Sequence, residues 1–160
     1  MSRRLRLAAL FSFLAALTAA TPAHAKWPPW LSIESPVNPF DASTSGAICL
    51  VHAAMREGTP GIADVSGSAE GLVNGARRSI ALKLDPTSRP GVFAIRRQWP
   101  TEGTWALRIS LASTTAIVLL DGEGNVAGVH IPTTVADGRP IPRHVVARDI
   151  DSTLTVASVH

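Results

Sequence analysis

The sequence predicts an all-β protein, a two-sheet sandwich of about seven to nine antiparallel strands. Three observations point there. Beyond residue 25, no stretch keeps apolar residues at i, i+3, i+4 and i+7 for three turns, so amphipathic helices are not expected. Short runs rich in Val, Ile, Leu and Thr recur instead, separated by Gly, Pro, Asp, Asn and Ser. The clearest runs alternate with a period of two, as a strand does when one face is buried. A small β-barrel is the alternative, because pattern alone does not show whether strand edges meet.

The chain opens on a three-part export signal. Arg3, Arg4 and Arg6 make a positive start, and Leu7 to Ala20 are apolar. Pro22 then breaks the helix ahead of Ala23-His24-Ala25, with small residues at the two positions a signal peptidase inspects. Cleavage after Ala25 would leave Lys26 as the new N-terminus and place the protein in a periplasm or outside the cell. Ser2 to Leu7 partly resembles a twin-arginine signal but has Arg6 where a bulky apolar residue is usual, so the general secretory route is the expectation. No second segment is long enough to span a bilayer.

Strand readings follow in order. Trp30 to Ser35 is the first, limited to a short or edge piece by Pro36 and Pro39. Gly46 to Ala54 is a continuous apolar run and so a central strand. Ile62 to Ala69 is a weaker third. Across 76 to 84, Ile80, Leu82 and Leu84 face one way, and Ser79, Ala81 and Lys83 the other. In Val92 to Trp99, Phe93, Ile95 and Trp99 share a face. Trp105, Leu107, Ile109 and Leu111 alternate most cleanly of all. Thr114 to Leu120 and Val126 to Ile131 flank the turn Asp121-Gly122-Glu123-Gly124-Asn125. Pro132 to Pro142 reads as a loop. Val145 to Val159 is apolar enough to pack back, with strand, short helix and frayed tail all open. The organisation is a signal at 1–25, a sandwich at 26–131, and a loop with a C-terminal segment at 132–160.

Charge excludes one class of partner. The chain carries 15 basic and 12 acidic residues. Removing the signal takes away three arginines and no acid, leaving 12 of each. A balanced domain with only Arg77-Arg78 and Arg96-Arg97 as local basic pairs is not a nucleic-acid binder. The single Cys49 lies in an apolar run and reads as a small core hydrophobe that forms no internal disulfide.

One segment carries a family resemblance. Gly91-Val92-Phe93-Ala94-Ile95, followed by Trp99-Pro100-Thr101-Glu102-Gly103-Thr104-Trp105-Ala106-Leu107, resembles a hairpin of the exported bacterial YtkA-like and CopC-like domains. The resemblance implies an immunoglobulin-like sandwich, with Gly103 in a tight turn and with Phe93 and Trp105 reaching one core from adjacent strands. CopC-like relatives bind copper through an N-terminal His, further His residues and Met-rich loops. Here Lys26 would stand at the N-terminus and Met55 is the one Met past the signal, so those ligands have no matching positions.

Candidate sites are few. His52 with nearby Met55 is the metal candidate, since copper favours His with sulfur. Cys49 sits three residues from His52 on a strand, so the two face opposite ways and cannot share an ion. Asp121 to Asn125 offers oxygen ligands, but Val126 and Pro132 occupy the positions where a helix-flanked calcium loop needs Gly and Glu. No serine sits in a Gly-x-Ser-x-Gly elbow, and nothing pairs Glu34, Glu57, Glu70 or Glu102 for glycoside chemistry. Trp27 and Trp30, in Lys26-Trp27-Pro28-Pro29-Trp30, either pin the first strand or form an aromatic arm that docks on a partner. The expectation is a non-enzymatic accessory or binding module of the bacterial envelope, needing no cofactor, whose partner is an envelope or membrane-complex protein. A periplasmic copper or metal carrier is the alternative, and a small β-sandwich hydrolase or carbohydrate-active protein the third.

Overall fold

In a computed structural model, residues 29–56, 59–60 and 65–157 are described, with backbone alone at 55–56, 59–60 and 156–157. Lys26, Trp27, His160 and the export signal with Ala23 and Ala25 lie outside them. The strands in chain order are β1 (Trp30–Glu34), β2 (Ala47–Arg56), β3 (Thr59–Pro60), β4 (Val65–Val73), β5 (Ala76–Ala81) and β6 (Asp85–Pro86). They continue as β7 (Val92–Arg96), β8 (Thr104–Leu111), β9 (Thr114–Leu120), β10 (Val126–His130), β11 (Thr133–Ala136) and β12 (Arg139–Pro142), and the helix α1 (Ala147–Ala157) follows.

Two antiparallel sheets face each other. Sheet A runs β1-β2-β7-β6, with β3 on the end of β2, and sheet B runs β10-β9-β8-β4-β5. The fold is therefore an all-β sandwich, and no barrel closes. Alternation explains the packing. Leu31, Cys49, Val51, Ala53 and Ile95 point inward from sheet A, and Trp105, Leu107, Ile109, Leu111, Ala116 and Val118 from sheet B. As read from sequence, β2 is central, between β1 and β7. A register shift between Ala47 and Cys49 brings Ile48 to the core as well, so it leaves the outward row that Leu50 and His52 keep.

Several sequence readings are corrected. Phe93 and Trp105 do not come from adjacent strands of a hairpin: β7 lies in sheet A and β8 in sheet B, so residues 97–103 cross between layers. Gly103, at φ +89, makes that crossing possible against the Leu72 carbonyl, where a Cβ would be 2.6 Å away. The strand read as Ile62 to Ala69 is described from Val65 and runs on to Val73, with Ile62 outside the described residues. Residues 132–142 are not a loop but the hairpin β11-β12, turned at Asp137 and Gly138, both at positive φ. The C-terminal segment is a helix. Its Ile150 and Leu154 pack with Val145 on Ala106 and Ile117, so α1 covers the outer face of sheet B as a third layer.

Candidate functional site

Sheet A keeps part of its outer face open. Leu31 and Ile33 of β1 are spent on the core, which turns Trp30, Ser32 and Glu34 outward. Across the ladder Trp30 faces Ala54, Ser32 faces His52, and Glu34 faces Leu50. The lower half of this face is roofed. Val37 packs on Leu50, Val92 and Ala94, while Arg96 donates to the carbonyls of Ser43 and Ser45 and pairs with Asp85 at 2.8 Å. The segment that carries these contacts is tightened by Asp41, whose carboxylate accepts from the Ser43 hydroxyl and N–H. Those bonds hold the Asp41 carboxyl below its usual range.

The upper half carries the candidate site. Trp30 is 55% exposed there. Buried Leu31 and the Thr114 hydroxyl, which donates to the Pro29 carbonyl at 2.8 Å, hold this end of the strand to the sandwich. His52 Nε2 meets Glu34 Oε2 at 2.7 Å, and with a carboxylate as partner the ring nitrogen is the donor. Arg89 Nη1 stands 3.6 Å from the same oxygen. Trp30 and His52 sit diagonally across the β1-β2 ladder, a separation within reach of an aromatic side chain. Two residues singled out separately in the sequence thus share one surface, an aromatic plane beside a buttressed imidazole.

A hydroxyl (Ser32), an imidazole and a carboxylate share this face. Acyl transfer, however, needs oxyanion donors and exclusion of water, which an open sheet face does not provide. His52 Nε2 is held by Glu34, Cys49 is fully buried on the other side of the strand, and the Met55 side chain lies outside the described residues. Burial pushes the Cys49 thiol up to about 12. Among the described residues no three His, Cys, Asp or Glu side chains converge on one point.

The other sequence candidates resolve into local structure. Asp121 accepts from the N–H groups of Glu123 and Asn125, which close the β9-β10 turn and lower its carboxyl below the usual range, the Asn125 bond most of all. Its oxygens serve the turn. Glu70 accepts from Ser68 at 2.6 Å and Ser79 at 2.9 Å across the β4-β5 pair. Arg89 is the site residue that sequence reasoning missed, and Glu34 entered it only as a carboxylate without a partner. The alternation of Leu31 and Ile33 would have put Glu34 on the Trp30 face. For Arg89, in a turn before β7, no local signal exists.

Comparison with family models, with curated proteins and with solved structures finds no match for this chain.

Proposed function

We propose that this chain is an exported, non-enzymatic β-sandwich module that acts by docking the open half of sheet A on a component of the bacterial envelope. The observation that carries the reading is Trp30, a large aromatic left 55% exposed beside the His52–Glu34–Arg89 cluster. Indoles dominate the energetics of interfaces because they bury much area with few rotatable bonds. The cluster adds fixed polar groups at the rim, which orient a partner more than they tighten it. The anatomy of residues 1–25 supports the envelope as the setting.

Photo-crosslinking tests this. A crosslinking amino acid placed at Ser32 should capture a discrete envelope component, and Trp30→Ala should abolish the adduct. The same substitution should change unfolding free energy by no more than about 0.5 kcal/mol, as for a surface site. A loss of about 3 kcal/mol or more, the cost of truncating a core aromatic, with no adduct lost, would mean that Trp30 is structural and the reading is wrong.

A further inference from the structure

The outer face of sheet B is covered at one end. There Ile150 and Leu154 of α1 lie on Ala106 and Ile117. Beyond them the face turns small and polar. Val65 and Ala69 of β4 pack into the core, and a Cβ on Gly67 would also point inward, 3.0 Å from Ile109. Alternation therefore sends Ser66 and Ser68 outward. Across the ladder Ser66 meets Ser110, and Ser68 meets Arg108. Such pairs stand about 4.5–5.5 Å apart, so the four side chains form one square. With Gly67 they line a pocket of about 240 Å³.

The bonds already made show what the pocket has left to offer. Ser68 donates to Glu70 Oε1 at 2.6 Å, so toward a ligand its hydroxyl oxygen accepts. Ser110 Oγ shares a bond of 3.1 Å with the hydroxyl of buried Thr115. Ser66 and Arg108 are exposed, and neither side chain has a hydrogen bond or ion pair among the described residues. The carboxylate on the same face of β4, Glu70, is held by Ser68 and by Ser79 at 2.9 Å. The lining thus holds one uncompensated cation, three hydroxyls, and no carboxylate, aromatic or aliphatic side chain.

We infer that this pocket binds a small hydroxylated monocarboxylate. Its carboxylate pairs with Arg108, whose planar fork matches two carboxylate oxygens. Its hydroxyls exchange hydrogen bonds with Ser66 and Ser68, donating to the latter. A single cation calls for a single negative charge, and Glu70, one hydrogen bond away through Ser68, opposes a dianion. Size argues the same way. The pocket equals the liquid volume of about eight waters, so a bare inorganic ion underfills it and an organic acid of about ten non-hydrogen atoms does not. This site lies on sheet B and rests on nothing proposed for the Trp30 face, so the two readings fail separately.

L-Threonate, a four-carbon acid with a hydroxyl on every other carbon, is the probe, added to the full chain and followed by amide and arginine side-chain NMR shifts. Saturable shifts are expected at 66–68, at 108–110 and at the Arg108 guanidinium, in the millimolar range. Arg108→Gln should weaken binding by at least about tenfold, as for loss of a charged hydrogen-bonding partner, and Ser66→Ala by about threefold. Both positions are exposed, so neither change should move the urea midpoint. Arg78→Ala, at a neighbouring position of β5 with the opposite orientation, and Trp30→Ala should leave binding unaltered. Threitol, which lacks the carboxylate, should give no saturable shift. Butyrate, which lacks the hydroxyls, and inorganic phosphate should both bind more weakly than threonate. Threonate shifts that fail to saturate, lie elsewhere or survive Arg108→Gln overturn the inference. Threitol, butyrate or phosphate binding as tightly as threonate overturns it too, since the pocket would then select for something else.

Discussion

Two indoles share the core, and only one of them has a partner for its N–H. Trp105 Nε1 donates to the Glu102 carbonyl at 2.8 Å, whereas Trp99, equally buried, has none among the described residues. A buried donor without an acceptor costs about 1–3 kcal/mol. Exchange for Phe therefore acts differently at the two positions. At Trp105 it removes volume and a satisfied bond, while at Trp99 it removes volume and an unsatisfied donor. Trp105→Phe is expected to be the more destabilising, by about 1 kcal/mol. Urea unfolding would read this as a larger fall in midpoint with the slope unchanged, and the reverse order would show that Trp99 is satisfied in solution. The seat of Trp105 makes the same point about position. Its ring lies on Gly71, the residue opposite it on β4, where a Cβ would fall within 2.6 Å of the ring. That Trp105 faces inward was legible from alternation alone. That Gly71 must be a glycine was not, because the reason lies across a strand pair whose register one sequence does not contain. Trp30 and His52 were each visible as candidates, but their common face rests on the β1-β2 register in the same way.

At the scale of elements, β9 was read to the residue, since an apolar run bounded by Ala112-Ser113 and an Asp-Gly turn leaves little choice. The hairpin β11-β12 was hidden by Pro132, Pro140 and Pro142, which argue against a central strand but are tolerated in an exposed two-stranded ribbon. The helix α1 was hidden by the thinness of its apolar stripe. Ile150 and Leu154 are a single i, i+4 pair, enough for a helix laid on a sheet and too little for the three-turn pattern that marks one in sequence. What holds the start of α1 is polar. Asp149 pairs with Arg143 through two bonds of 2.6 and 2.7 Å and accepts from the Val146 N–H. These bonds, the Arg143 ones first, lower the Asp149 carboxyl from 3.8 to about 2. The sign of the pH effect follows. A carboxyl depressed in the folded state contributes above its unfolded value, and the contribution is lost as pH falls through the folded one. Between pH 4 and pH 2, the protection of amides 147–154 relative to their intrinsic exchange rates should therefore begin to fall while that of β8 is kept. Arg143→Ala should move this loosening to higher pH. Protection in α1 that is indifferent to pH over that range would mean the latch does not hold the helix.

For the whole molecule, the balance of charge and the position of the first anchored residue belong to one argument. The full chain carries a net charge of +3, and the three arginines that account for it all precede Ala25. Pro29, where the described residues begin, is held to the sandwich through Thr114. A cut between Ala25 and Lys26 would leave this contact and the whole β1-β2 ladder in place, and would convert a basic precursor into a domain of formal charge zero. Expression in a bacterium should then yield a periplasmic species whose intact mass corresponds to a start at Lys26. Its unfolding transition should match that of the full chain, because the Thr114–Pro29 contact and the β1-β2 ladder both remain. Ala25→Asp, which puts a charged side chain where the peptidase accepts only small ones, should leave the uncut precursor at the membrane. A start downstream of Pro29 would remove the Thr114 contact that ties the start of β1 to β9. That species would be less stable than the full chain, and finding it as the native form would refute the cut at Ala25.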